Sequence, residues 1–123
     1  MMAAAMWAAL VAPANPANGG VPVRVGGTGH EDACGSLVQV GNLGSRSFLA
    51  VRDGPGTRFR MLDQLRIGRP LTVCEERGQW LGVIYGDGNA DCAVYTPRPR
   101  RTAYPGPCRS GWVHGRYVKL VAG

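Results

Sequence analysis

Apolar and polar residues alternate over short stretches of this chain, and each stretch ends in glycine, proline or aspartate. A first stretch covers 38–40 and is followed by a turn around 42–45. A second covers 48–52, with Leu49 and Val51 on one face, and runs into Asp53-Gly54-Pro55-Gly56-Thr57, a density of Gly and Pro that demands a sharp turn over 53–58. Further stretches cover 60–65, closed by Gly68, and 70–75, with Leu71 and Val73 on one face. A tight turn at Arg77-Gly78 leads into Gln79-Trp80-Leu81-Gly82-Val83-Ile84-Tyr85. Gly111-Trp112-Val113 forms a short strand that breaks at His114-Gly115 and resumes at Tyr117-Val118. Outside the N-terminal segment no twelve-residue window carries a capped 3.6-residue period. Regular short strands with Gly/Pro turns predict an all-β chain folded as a small β-barrel of about five strands.

Two regions fall outside this pattern. Met2–Ala12 is uncharged and rich in Ala, Met, Leu and Val, too short to span a bilayer, and leads to small-residue sites after Ala14 or Ala17. It reads as a secretory signal peptide over 1–17, although no Lys or Arg precedes the apolar run. Residues 18–36 then read as a Gly- and Val-rich linker. The second region, 86–110, is rich in Pro, Arg and Gly and reads as a long loop inserted in the barrel domain 37–123.

The cysteines change this picture. A chain of 123 residues holds one domain with a small core, which two disulfides would reinforce. Four cysteines allow three pairings. Cys92–Cys108 closes the base of the long loop, worth roughly 3 kcal/mol in the chain-entropy picture, and this leaves Cys34–Cys74. Paired cysteines and the leader together point to a secreted or periplasmic protein with no transmembrane segment in its mature form.

Charge and candidate chemistry narrow the function classes. Thirteen Arg and one Lys against eight acids make the chain basic, which favours anionic partners. No C-x-x-C occurs, and His30 and His114 are isolated, so no metal site or cofactor is expected. No nucleophile signature surrounds Cys74 or Cys92, and the adjacent Glu75 and Glu76 face opposite sides of a strand, so no enzyme activity is expected. Arg98, Arg100, Arg101 and Arg109 interleave with Tyr95 and Tyr104. This composition suits single-stranded nucleic acid, but export and the stiffening prolines favour an anionic or peptide ligand of the envelope, or a solvated loop packed on the barrel by its tyrosines.

The order V-R-x-G-P-G-T, a hydrophobic-x-x-L-x-x-G step, a strand pair around Gly78-Gln79-Trp80 and then Gly111-Trp112-Val113 resembles the bacterial SH3-like (SH3b) domain family over about Phe48 to Val121. The resemblance implies an SH3-like barrel and binding of cell-wall peptides or glycans. Gly111–Val118 is also similar to the G-Y-I-P-S-N-Y-V stretch of eukaryotic SH3 domains, whose Tyr and Trp line a peptide groove. By position Tyr117 matches that Tyr and Trp80 that Trp. His114 stands where the groove Pro usually is, which argues against polyproline specificity, and the 86–110 insertion departs from the family's short turn.

The expected function is therefore a non-enzymatic binding module for a cell-envelope component, peptidoglycan or a peptide, with no nucleic-acid partner. The alternatives are an adaptor for an envelope enzyme and a cationic module for anionic polymers. The expected ligand-binding residues are Trp80, Tyr117, Trp112, Tyr95, Tyr104 and Arg116. For Trp112 a core position is the competing reading.

Overall fold

A computed structural model of the chain describes residues 19–27, 33–88 and 90–123. The expected leader at 1–17 and His30 lie outside the described residues. Among the described residues nine strands follow one another: β1 (Arg24–Val25), β2 (Ser36–Val40), β3 (Leu49–Arg52), β4 (Met61–Leu65), β5 (Pro70–Arg77), β6 (Trp80–Tyr85), β7 (Thr102–Ala103), β8 (Arg109–His114) and β9 (Val118–Ala122). A 3-10 turn, Gly115–Tyr117, separates β8 from β9. The alternation read at 48–52, 60–65, 70–75 and 79–85 becomes β3 to β6. Between β5 and β6 lies a two-residue loop, Gly78-Gln79, in which Gly78 takes φ +59°. A hairpin loop with glycine first needs that conformation.

Seven strands form one antiparallel sheet in the order β4-β3-β8-β6-β5-β2-β9, and β1 pairs with β7 in a separate ribbon. The connection from β8 to β9 shows how the large sheet is shaped. These strands lie four places apart, which in a flat sheet means roughly 19 Å. The 3-10 turn joining them has only three residues and advances about 2 Å per residue. The sheet must therefore roll up so that the end of β8 and the start of β9 approach. It does not close: β4 and β9 are edges and do not pair with each other. The chain is all-β as expected, and where a small barrel of about five strands was expected it forms an open sheet of seven strands with a two-stranded ribbon.

The hydrophobic residues divide into two cores on opposite faces of the sheet. The inner core gathers Val38, Val40, Leu49, Val51, Leu65, Leu71, Val83, Tyr85 and Val113. The outer core gathers Val23, Val25, Ala33, Cys34, Ile84, Val94 and Trp112. Strand β6 serves both: Leu81, Val83 and Tyr85 face inward, whereas Trp80 and Ile84 face outward. This is why its sequence is apolar at nearly every position, the pattern of a strand covered on both sides.

The cover over the outer face consists of the two regions read as linker and loop, and this is the principal correction to the sequence reading. In the ribbon, Arg24 lies opposite Ala103 and Val25 opposite Thr102. The Tyr104 amide donates to Val23 O at 2.8 Å, and the Gly27 amide to Arg98 O at 2.9 Å. Each segment alone has too little apolar surface and no partner for its backbone; together they satisfy their amides and bury Val23, Val25 and Val94. Gly82 admits this layer, because a Cβ there would meet Val23 Cγ1 at 3.0 Å and Glu75 Cβ at 3.2 Å.

The two expected disulfides, Cys34–Cys74 and Cys92–Cys108, are both formed, and all four cysteines belong to or pack against the outer core. Two disulfides fit a chain that folds in an oxidising compartment outside the cytoplasm. Among the described residues no helix is long and apolar enough to cross a membrane.

Glu75, on β5, is a buried carboxylate. It is only 8% exposed. It accepts from the Arg24 amide at 2.8 Å and from Arg77 Nε at 3.0 Å, and Arg101 lies 3.6 Å away. A buried carboxylate is tolerated only with such partners. Here they come from the lead-in, the sheet and the long loop, so one side chain ties all three together.

Candidate functional site

The six expected ligand-binding residues separate into three groups. Trp80, Tyr117 and Arg116 converge on one groove. Trp112 and Tyr104 belong to the outer layer. Tyr95, at 59% exposure, lies on the long loop away from the groove.

The groove is built where three elements meet. Trp80 opens β6 immediately after the tight hairpin loop. His114 ends β8, opposite Trp80 in the ladder. Tyr117 closes the 3-10 turn. His114 connects them: its ring lies 5.3 Å from that of Trp80, edge to face, and 6.0 Å from that of Tyr117. Its orientation is fixed at both nitrogens. Nδ1 accepts from the Arg116 amide at 3.1 Å, capping the 3-10 turn. In the neutral ring the proton therefore sits on Nε2, which donates to Gln79 Oε1 at 3.0 Å. Tyr117 is held from the other side as well. Its carbonyl accepts from the Gly41 amide at 2.9 Å, and the neighbouring Arg116 carbonyl accepts from Asn42 Nδ2 at 3.0 Å.

The resulting cavity of about 430 Å³ is walled by Phe48, Arg52, Thr57, Trp80, His114 and Tyr117, with Arg116 at its margin. An adjoining depression formed by Pro55–Phe59 shares Thr57, Trp80 and His114 with it. The turn that supplies this second wall is held by the Phe59 ring, which lies against Gly54 where any side chain would collide with it. Arg52 is fixed by a hydrogen bond from Nη1 to Phe59 O at 3.0 Å, and the Arg116 guanidinium lies 6.0 Å from the Tyr117 ring centre. Phe48, Arg52 and Thr57 are wall residues that sequence reasoning missed. The only hint was an aromatic residue just ahead of a strand, and nothing local says that the 53–58 turn folds toward β6.

Trp112 is fully buried and cannot meet a ligand. Strand alternation puts it on the outer face of β8, where the lead-in covers it and its Nε1 donates to Val21 O at 2.7 Å. Tyr104 is equally committed. Its hydroxyl donates to Cys92 O at 2.7 Å and accepts from the Cys108 amide at 3.1 Å, bracing the disulfide-closed base of the loop.

A connected titratable cluster centred on Asp63 lies apart from the groove. Asp63 Oδ2 accepts from the Tyr85 hydroxyl at 2.9 Å and from Arg109 Nη1 at 3.1 Å, and its Oδ1 from the Gln64 amide at 2.8 Å. Burial pushes the Asp63 carboxyl up, but these hydrogen bonds and the Arg109 charge together outweigh burial and hold it below its ordinary value of 3.8. Burial, reinforced by the Asp63 carboxylate, pushes the Tyr85 hydroxyl well above its ordinary value. A lowered carboxyl pKa contributes stability that is present above pH 4 or so and lost as the pH falls through the folded-state value. A raised phenol contributes stability that is present below about pH 10 and lost as the pH rises. Thermal melts of Asp63→Asn across pH 2–7 are therefore expected to start from a lower melting temperature at pH 7 and to show a shallower acid limb. An acid limb as steep as that of the parent would show that Asp63 is not the group responsible.

Among the described residues no group of three or more His, Cys, Asp or Glu side chains is disposed to hold a metal ion. Compared with known proteins, the chain matches no family model, no curated protein and no solved structure.

Proposed function

We propose that this protein is a non-enzymatic, SH3-like binding module, secreted or periplasmic, whose groove takes a cell-envelope component: peptidoglycan or a peptide derived from it. The observation that carries this reading is the convergence of Trp80 with His114 and Tyr117, from elements far apart in sequence, into one half-exposed aromatic groove. Two of those three are the positions that the resemblance to SH3-like domains implies. A rolled antiparallel sheet with a Gly/Pro-rich turn beside the groove is consistent with that architecture. Aromatic rings of this kind supply large, rigid contact area at low entropic cost, suited to an extended chain laid across them.

The test is co-sedimentation with purified sacculi. Trp80→Ala and Tyr117→Ala are each expected to weaken binding about tenfold, which corresponds to about 1.4 kcal/mol, with circular dichroism confirming that each variant is folded. Equal binding by the folded double variant and the parent would reject the groove as the site.

A further inference from the structure

We infer that the groove selects ligands bearing a free carboxylate, with Arg116 as the residue that reads it; this rests on the proposed binding function and specifies its ligand. The wall is rich in donors and poor in acceptors. Arg52, Arg116 and, in the adjoining depression, Arg58 are guanidinium groups, and the Trp80 indole N–H is a donor only. The remaining polar side chains of the main cavity are the Ser47, Thr57 and Tyr117 hydroxyls and His114, whose two nitrogens are already engaged by Gln79 and the Arg116 amide. Among the described residues no carboxylate and no carboxamide side chain lines the cavity. The site therefore offers donors and positive charge over an aromatic floor and no anionic acceptor to balance them.

Contrast the chain's other cation clusters. Arg77 and Arg101 both pair with Glu75, and Arg69 and Arg109 with Asp87 and Asp63. Among the described residues Arg116 forms no such ion pair, and Glu76, which lines a neighbouring depression with it, is not among the residues that line the groove. Arg116 is exposed, it adjoins Tyr117, and its backbone is pinned by Asn42 and His114, so its planar fork starts from a fixed base. A guanidinium fork matches a carboxylate with two parallel hydrogen bonds, whereas the aromatic floor accepts the apolar part of the same peptide. Arg52, already bonded to Phe59 O, contributes positive potential without needing to move.

The probe is a muropeptide mixture released from sacculi, used untreated and after its carboxylates have been converted to carboxamides. Binding is measured by isothermal titration at fixed ionic strength. The untreated mixture is expected to bind at least tenfold more tightly than the amidated one. Arg116→Gln is expected to bind both forms alike and weakly. Arg116→Lys, which keeps the charge but loses the fork, should recover only part of the difference. Equal binding of the two forms by the parent protein would overturn carboxylate selection and leave the groove reading intact. Binding of neither form would overturn the groove reading and this inference with it. Inorganic phosphate competing as well as the muropeptide carboxylate would mark a generic anion site and also overturn the inference.

Discussion

Removal of both disulfides is expected to unfold the protein, or to leave it on the edge of unfolding, at room temperature. The two bridges close segments with sequence separations of 40 and 16 residues. In the chain-entropy treatment these are worth about 4 and about 3 kcal/mol respectively. A domain this small commands only about 5–15 kcal/mol in total. Both bridges also sit at the outer core, where Cys34 is buried and Cys92–Cys108 fixes the loop that covers the sheet. Loss of either therefore removes packing as well as the constraint on the unfolded chain. Paired replacements, Cys34→Ala with Cys74→Ala and Cys92→Ala with Cys108→Ala, separate the contributions. Urea titrations should show the first pair to be the more damaging, because it frees the longer segment and opens a buried position. A reduced protein with the same urea midpoint as the oxidised one would refute the role assigned to the outer layer.

The second large effect is expected at Trp112. Truncation of a fully buried tryptophan to alanine costs about 4 kcal/mol through lost transfer energy and the cavity left behind. Here the Val21 carbonyl also loses the indole N–H that it accepts at 2.7 Å. The damage should be unevenly distributed. Val21, Val23 and Val25 rest against the outer core, so the lead-in should detach before the inner core fails. Hydrogen exchange should accordingly speed first at the Tyr104 and Gly27 amides, which bind the lead-in to the long loop, while amides of β5 and β6 remain protected longer. Trp112→Phe should retain most of the packing and lose the hydrogen bond, at a smaller cost. A Trp112→Ala protein as stable as the parent would mean that the outer face of β8 is not a core at all.

These two expectations bear on how much of the molecule was legible from its residues. Strands β3 to β6 were, because each is a short alternating run stopped by Gly, Pro or a two-residue hairpin loop, and these are local signals. The Cys92–Cys108 bond was legible as the closure of an otherwise unsupported loop. Trp80 and Tyr117 were legible as candidates through a resemblance in motif order, and the rolled sheet brings both to one groove. Trp112 was not legible as either groove or core. Alternation assigns a residue to a face, but whether that face meets water depends on what lies over it. The same holds for Tyr104, whose hydroxyl is consumed by backbone groups at positions 92 and 108.

The residues alone determined that this chain would be built from short strands and be basic, and they favoured, among three pairings, the one the structure shows. Each follows from local backbone preference, spacing or charge count. Tertiary structure decided that residues 19–27 and 86–110 are partners and not spacers, that the sheet therefore has two cores, and that a histidine between two aromatic rings completes the groove. The physical reason is that the alternation of Val21, Val23 and Val25 in the lead-in is short and interrupted by Pro22, and the long loop is broken by prolines and glycines. Their order arises only when the ribbon pairing satisfies both backbones at once, over a sheet face made approachable by Gly82 and filled by Trp112.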